Sequence, residues 1–203
     1  IKLNSPQKKI KNLNKQLGFT DEFYEKAIAV INDVPDINRR ALSTEVLANI
    51  YHENGDNDKA IDIIKTTVNL GELSELMRGG LCNDMMYYYL MKGDLKSADE
   101  IYAWMKNDLD ELCKLTSGKA FYDTMAVREY MHGNFDASLK LLEKSRGNKK
   151  INEANDLHRA WNYIHIGREQ EALDIVKRLA SEAKNVYIRN QAIGLLNDMQ
   201  NNK

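Results

Sequence analysis

YHENGDNDKAIDII, residues Tyr51 to Ile64, sets a glycine between an aromatic four places before it and an alanine five places after it. The phrase recurs as YLMKGDLKSADEIY at Tyr89 to Tyr102, EYMHGNFDASLKLL at Glu129 to Leu142 and YIHIGREQEALDIV at Tyr163 to Val176. Its glycines, Gly55, Gly93, Gly133 and Gly167, are separated by 38, 40 and 34 residues, the period of a helix-turn-helix repeat. The aromatic is Tyr51, Tyr89 and Tyr163 in three copies, and the later small residue is Ala60, Ala98, Ser138 and Ala172 in all four. A glycine lets the chain reverse between two helices, and a small side chain beyond it lets those helices approach closely. Eight residues after each glycine stand Ile63, Ile101, Leu141 and Ile175, followed by Ile64, Tyr102, Leu142 and Val176. Each second helix therefore carries an apolar stripe at helical spacing that has to be buried.

This pattern resembles the tetratricopeptide repeat, whose unit of about 34 residues is two antiparallel helices joined at a glycine turn. The likeness covers Ala41 to Val186 with the first-helix pairs Leu47-Ala48, Met85-Met86, Met125-Ala126 and, as a partial match, Arg159-Ala160, and a further pair, Ile193-Gly194, follows beyond it. The family's leading Trp and closing Pro are missing from every copy. The resemblance implies an all-α fold, a right-handed α-solenoid of antiparallel helix pairs with about 10 to 11 helices in one domain over 1–203. Repeats are expected at 41–74, 79–112, 119–152 and 153–186, after a degenerate helix pair within 1–40 and before a capping helix at 187–203. The amino-terminal pair is Ser5 to Leu17 and Thr20 to Val34, with Thr20 as N-cap and Pro35 as terminator. Asn185 to Gln200 reads as the first helix of a fifth unit, with a polar tail suited to a cap. Asp108 to Gly118 exceeds what the turn needs and reads as an insertion with a short extra helical turn, whereas Gly79-Gly80 reads as a helix-helix turn.

Composition agrees with a helical, globular chain: 203 residues, 43% apolar and 29% charged, with only 2 prolines. Lys and Arg total 29 against 30 Asp and Glu, so no positive field exists to attract a phosphate backbone, and nucleic acid is not expected as a partner. No run reaches the roughly 18 apolar residues needed to cross a bilayer, so this stretch is not expected to insert into a membrane. Cys82 and Cys113 form no C-x-x-C pair, which suits buried thiols in a reducing, cytoplasmic setting, with a single disulfide as the alternative. The chain begins on Ile1 rather than Met, which implies an upstream segment, whether a tag, a targeting sequence or an anchor.

Chemistry-bearing motifs are lacking. None of His52, His132, His158 and His165 sits in a metal-ligand spacing, and His158 and His165 are about 10 Å apart along a helix. Asp56 and Asp58 begin like a calcium loop but lack the downstream Gly and Glu, and so read as turn and cap residues. There is no nucleophile elbow and no phosphate-cradling glycine loop. The reading is a non-enzyme without cofactor or metal.

What the resemblance does imply is a concave groove lined by the first helices. Counted from each glycine, its residues are Glu45, Asn49, His52 and Glu53, then Asn83, Tyr87, Leu90 and Met91. The third repeat adds Asp123, Val127, Tyr130 and Met131, and the fourth adds Leu157, Trp161, Ile164 and His165. Tyr and Trp offer broad rigid contact area and Met adapts to irregular shapes, a mixture that suits an extended peptide or a partner helix. The groove lacks the Lys and Arg that carboxylate-clamping members of this family use. Tyr87, Tyr88 and Tyr89 are consecutive and cannot share one helix face, so at least one belongs to the core; Trp161 and the methionines are core candidates as well. The expected function is a non-catalytic interaction or scaffold module for a protein or peptide partner, with the oligomeric state open. The alternative is a peptide-signal sensor or regulatory domain of a larger protein, a membrane-anchored one included.

Overall fold

The computed structural model describes residues 5–115, 118–146 and 149–201. Parts of the amino-terminal pair 1–40, the insertion at 108–118, the repeat 119–152 and the capping segment 187–203 thus lie outside the described residues. Among the described residues the secondary structure is helical, with 12 α-helices, one short 3-10 turn and no strand. The helix count exceeds the 10 to 11 expected because the insertion forms a helix of its own, α7 (Leu109–Leu115). The chain divides into two compact units, Ile1–Met105 and Lys106–Lys203.

The first unit contains α1 (Pro6–Leu17), α2 (Asp21–Asn32), α3 (Ile37–Glu53), α4 (Asn57–Thr67), the 3-10 turn Leu70–Glu72, α5 (Glu75–Met91) and α6 (Leu95–Met105). Side-chain caps start several of these helices. Thr20 accepts from the Phe23 amide at 3.1 Å, Asp36 from Arg39 at 2.7 Å and Asp56 from Lys59 at 2.9 Å, each satisfying a donor that helix geometry leaves free. The core runs from Ile10 and Phe23 through Leu47, Ala48 and Tyr51 to Ile63, Ile64, Leu81 and Tyr88. Tyr51 is enclosed by rings: Phe23 stacks on it at 6.1 Å, and Phe19 and Tyr24 meet it edge-on at 6.3 and 6.1 Å. Such ring pairs add to the area they bury.

The second unit follows with α7, then α8 (Lys119–Met131), α9 (Phe135–Ser145), α10 (Lys149–His165), α11 (Glu169–Glu182) and α12 (Val186–Asn201). Leu157, Ala160, Ala172, Val176, Leu179 and Ile188 form an apolar cluster there. Beside it runs a buried polar ladder. Ser138 Oγ donates to the Ala126 carbonyl at 2.7 Å and accepts from Asn162 Nδ2 at 3.0 Å. Asn155 Nδ2 reaches both the Leu142 carbonyl and Ser145 Oγ at 2.7 Å. Glu153 accepts from the amides of Lys184 and Asn185, both at 3.1 Å, and so tethers the start of α12 to α10. Partners of this kind offset the cost of burying polar groups in a core.

The recurring phrase produces the same turn four times. Gly55, Gly93, Gly133 and Gly167 have φ of 87°, 78°, 78° and 77°, a left-handed backbone that other residues adopt at a cost. After each glycine the next amide turns back to the carbonyl four places before it: Asp56 to Tyr51, Asp94 to Tyr89, Asn134 to Glu129 and Arg168 to Tyr163, at 2.8–2.9 Å. Each glycine amide meanwhile bonds the carbonyl three residues back, the paired bonds that close a helix with a glycine just past its end. The small residues Ala60, Ala98, Ser138 and Ala172 are all fully buried, as close helix approach requires. Ile63, Ile64, Leu142 and Val176 are buried with them, while Ile101, Tyr102, Leu141 and Ile175 are half-buried.

Gly79 and Gly80 are not a turn. Both lie inside α5, which Ser74 introduces after the 3-10 turn, and the boundary expected at 79 falls within that helix. The boundary at 153 likewise falls inside α10. Each glycine costs a helix about 1 kcal/mol relative to alanine, which the packing of α5 against its neighbours outweighs. Cys82 and Cys113 are both free and buried. Among the described residues no helix is long and apolar enough to cross a membrane.

Gly118 differs from the four turn glycines. At φ 64° it precedes α8, and a Cβ there would meet the Cys113 Cβ at 2.8 Å and a Tyr122 ring carbon at 3.0 Å, whereas one at Gly93 would meet nothing within 4 Å. Gly93→Ala should therefore cost only the left-handed strain, about 1 kcal/mol. Gly118→Ala should cost about 2–4 kcal/mol because it adds overpacking. Urea denaturation of the two variants beside wild type checks the ranking.

Candidate functional site

Each unit carries its own share of the residues expected to face a partner. In the first unit, α3 supplies Glu45, Asn49, His52 and Glu53, and α5 supplies Asn83, Tyr87, Leu90 and Met91. Asn83, Leu90 and His52 are buried, so they support this face rather than offer themselves to a partner. Glu45, Asn49, Tyr87 and Met91 are half-exposed and Glu53 is exposed.

His52 organises this face. Its ring stacks on Tyr88 at 4.9 Å and meets Tyr87 edge-on at 5.3 Å, and Nδ1 lies 2.6 Å from Asn57 Oδ1. Tyr88, only 1% exposed, donates its hydroxyl to Asn49 Oδ1 at 3.1 Å. Burial pushes the Tyr88 phenol well above its ordinary value, so it remains a donor. The three consecutive tyrosines thus go to three places. Tyr88 is core, Tyr87 lies against His52, and Tyr89 turns toward α4, where Lys65 Nζ donates to its hydroxyl at 2.8 Å.

In the second unit, α8 supplies Asp123, Val127, Tyr130 and Met131, and α10 supplies Leu157, Trp161, Ile164 and His165. Val127, Leu157 and Asp123 are buried; Tyr130, Trp161 and Ile164 are half-exposed; Met131 and His165 are exposed. Tyr130 sits at the centre, 5.9 Å from the Trp161 ring and 5.1 Å from His165, which it meets edge-on. His165 Nδ1 is 3.2 Å from the Tyr130 hydroxyl and 3.0 Å from the Trp161 carbonyl oxygen, which can only accept. Phe135 completes the cluster by stacking on His165 at 5.2 Å. Beneath it, His158 packs 4.7 Å from Trp161, and its Nδ1 lies 2.9 Å from Asp123 Oδ2.

Phe135, Tyr88 and His158 join these clusters although the count along the first helices does not include them. Phe135 stands on the second helix of its pair, where a count along first helices does not reach; the glycine turn folds it back onto Tyr130. Its place two residues past Gly133 was the available signal. Trp161 serves both core and surface: its ring is tilted against the buried His158, and it remains partly exposed.

Among the described residues no three His, Cys, Asp or Glu side chains converge as a metal site would require. No family model, no curated protein and no solved structure matches the chain.

His52 makes the first unit sensitive to acid. Burial holds its imidazole below the ordinary value, opposed by the Asn57 hydrogen bond and the nearby Glu53 carboxylate. The unfolded chain therefore takes up this proton near pH 6.5, before the folded chain does, and stability should fall as pH drops below about 6.5. His52→Phe keeps a ring between Tyr87 and Tyr88 but has no proton to bind. Its melting temperature between pH 7 and pH 5 should decline less steeply than that of wild type; equal slopes would remove His52 from the explanation.

Proposed function

We propose that this chain is a non-catalytic interaction module that binds a peptide or helix of a protein partner through the aromatic faces of its units. The helix pairs within each unit are read as tetratricopeptide-like repeats of the kind found in right-handed α-solenoids, on the strength of the four matching glycine turns. One observation carries the functional reading. Tyr130 and Trp161 are half-exposed, yet neighbouring rings, His165 and the buried His158 hold them in fixed positions. Rings held in this way lose little entropy on binding and are the side chains that most often dominate interface energy. Tyr87 against His52 is the counterpart in the first unit.

The surroundings suit an apolar or amphipathic segment more than a charged one. Met131 and Ile164 stand on the helices that carry the second cluster and Met91 on the helix of Tyr87, and flexible thioethers conform to irregular side chains. Glu45 and Glu53 give the first face an acidic edge that favours a partner with Lys or Arg at that end. A second reading, a sensor or regulatory domain within a larger protein, draws support from a separate cleft in the first unit.

Loss of one such anchor typically costs about 2 kcal/mol, or roughly 30-fold in affinity. Chemical crosslinking in native extract, followed by mass spectrometry, would identify partners of the wild-type chain. Titration of a purified partner should then find Tyr87→Ala, Trp161→Ala and the double variant weakened, each single change by about that factor, in proteins whose circular dichroism shows the helical fold retained. Full retention of every partner by the double variant, with the fold intact, would reject the proposal.

A further inference from the structure

The first unit holds a cleft that the partner-facing residues do not use. On α5, Arg78, Cys82, Met85 and Tyr89 recur every three or four residues and form a stripe on a different side of the helix from Asn83, Tyr87 and Met91. On α6, Ser97, Glu100, Ile101 and Trp104 form a second stripe at the same spacing. Lys65 of α4 and the 3-10 turn at Leu70 and Gly71 close a third side, leaving an open cavity of about 500 Å³. That volume lies in the range of sites for small organic molecules.

Its chemistry is divided between floor and rim. Cys82 and Met85 are buried and Ile101 is half-buried, so the floor is apolar; burial pushes the Cys82 thiol up to about 11, which keeps it uncharged at neutral pH. Trp104 stands as a wall with 52% of its surface exposed, a large area for an indole to leave in water. Two cations border the opening. The Arg78 guanidinium lies 5.5 Å from the Trp104 ring, and Lys65 Nζ lies 5.5 Å from the Tyr89 ring while donating to its hydroxyl. Among the described residues neither cation is in an ion pair, and Glu100 is the single carboxylate of the lining, so the cleft is net positive in a chain of net charge −1.

We propose that this cleft binds a small amphipathic organic anion, with an aromatic or aliphatic body between Trp104 and the apolar floor and an acidic head at Arg78 and Lys65. A peptide backbone is the poorer occupant because its amides need partners. The one hydroxyl among the α5 and α6 stripes outside Tyr89 is Ser97 Oγ, which is already engaged with Asp94 Oδ2 at 2.8 Å. A rigid ring system with one anionic group matches both the flat indole wall and the cation pair. The inference stands apart from the partner-binding faces, since none of their residues lines the cleft.

Two dyes that differ only in charge test it on the full chain. Anilinonaphthalene sulfonate carries the anion, and N-phenyl-1-naphthylamine is its neutral counterpart. The sulfonate should bind at one per chain and accept excitation energy from Trp104, so the transfer should fall in Trp104→Phe. Lys65→Gln with Arg78→Gln should weaken the sulfonate by at least about tenfold and the neutral dye by less than about threefold, while Arg78→Lys retains most of the sulfonate affinity. Several sulfonates per chain, transfer left undiminished by Trp104→Phe, or equal losses for both dyes would overturn the proposal. None of those results bears on the Tyr87 and Trp161 variants, so the two readings fail separately.

Discussion

The structure depends on one constraint, repeated: a helix must end, reverse and restart within a few residues without leaving its terminal carbonyls and amides unpaired. Glycine at positive φ directs two consecutive amides back to carbonyls of the helix just finished, and the next helix begins two residues after it. Asp56 and Asp94 add side-chain caps to the Lys59 and Ser97 amides. Because these bonds fix where the second helix sets out, they also fix which residue first meets the preceding helix. At that point Ala60, Ala98, Ser138 and Ala172 are each buried, and a larger side chain would force the helices apart.

With that turn in common, the two units fill their interiors differently. The first relies on rings and aliphatic side chains, with Tyr51 enclosed by Phe19, Phe23 and Tyr24, and Tyr88 beneath His52. The second replaces part of this with amides and hydroxyls. Ser138 takes the place that alanine holds elsewhere, and its hydroxyl gives Asn162 an acceptor, while Asn155 spans α9 and α10. A polar ladder whose donors are all paired holds its helices in one register, since a slip would leave them unpaired. The exposed cluster of Tyr130, Trp161 and His165 stands on that support.

Much of the fold was legible because helix pairs follow local rules: caps, periodic apolar stripes and glycine turns all act over fewer than fifteen residues. Thr20 and Asp56 cap helices as their types suggest, and Asp108 to Gly118 does hold an extra helix. Gly79-Gly80 misleads for the opposite reason, since packing of α5 against its neighbours overrides the weak local preference of two glycines for a turn. Exposure along the first helices was legible only in part. A count along first helices finds Tyr87, Tyr130 and Trp161 but also takes in Asn83, Leu90, Val127 and Leu157, which are buried. Position within a helix gives a direction around its axis, and burial depends on what the neighbouring helix places opposite.

The sequence by itself therefore determined that this chain is helical, where its glycine turns lie and which side chains stand beside them, because those properties come from backbone bonding between near neighbours. Tertiary structure alone decided that Phe135 stacks on His165, that Tyr89 leaves its neighbours to line a cleft with Lys65, and that Arg78 reaches the face of Trp104. Those contacts join residues on different helices. Their geometry follows from how the helices pack, which no local spacing encodes.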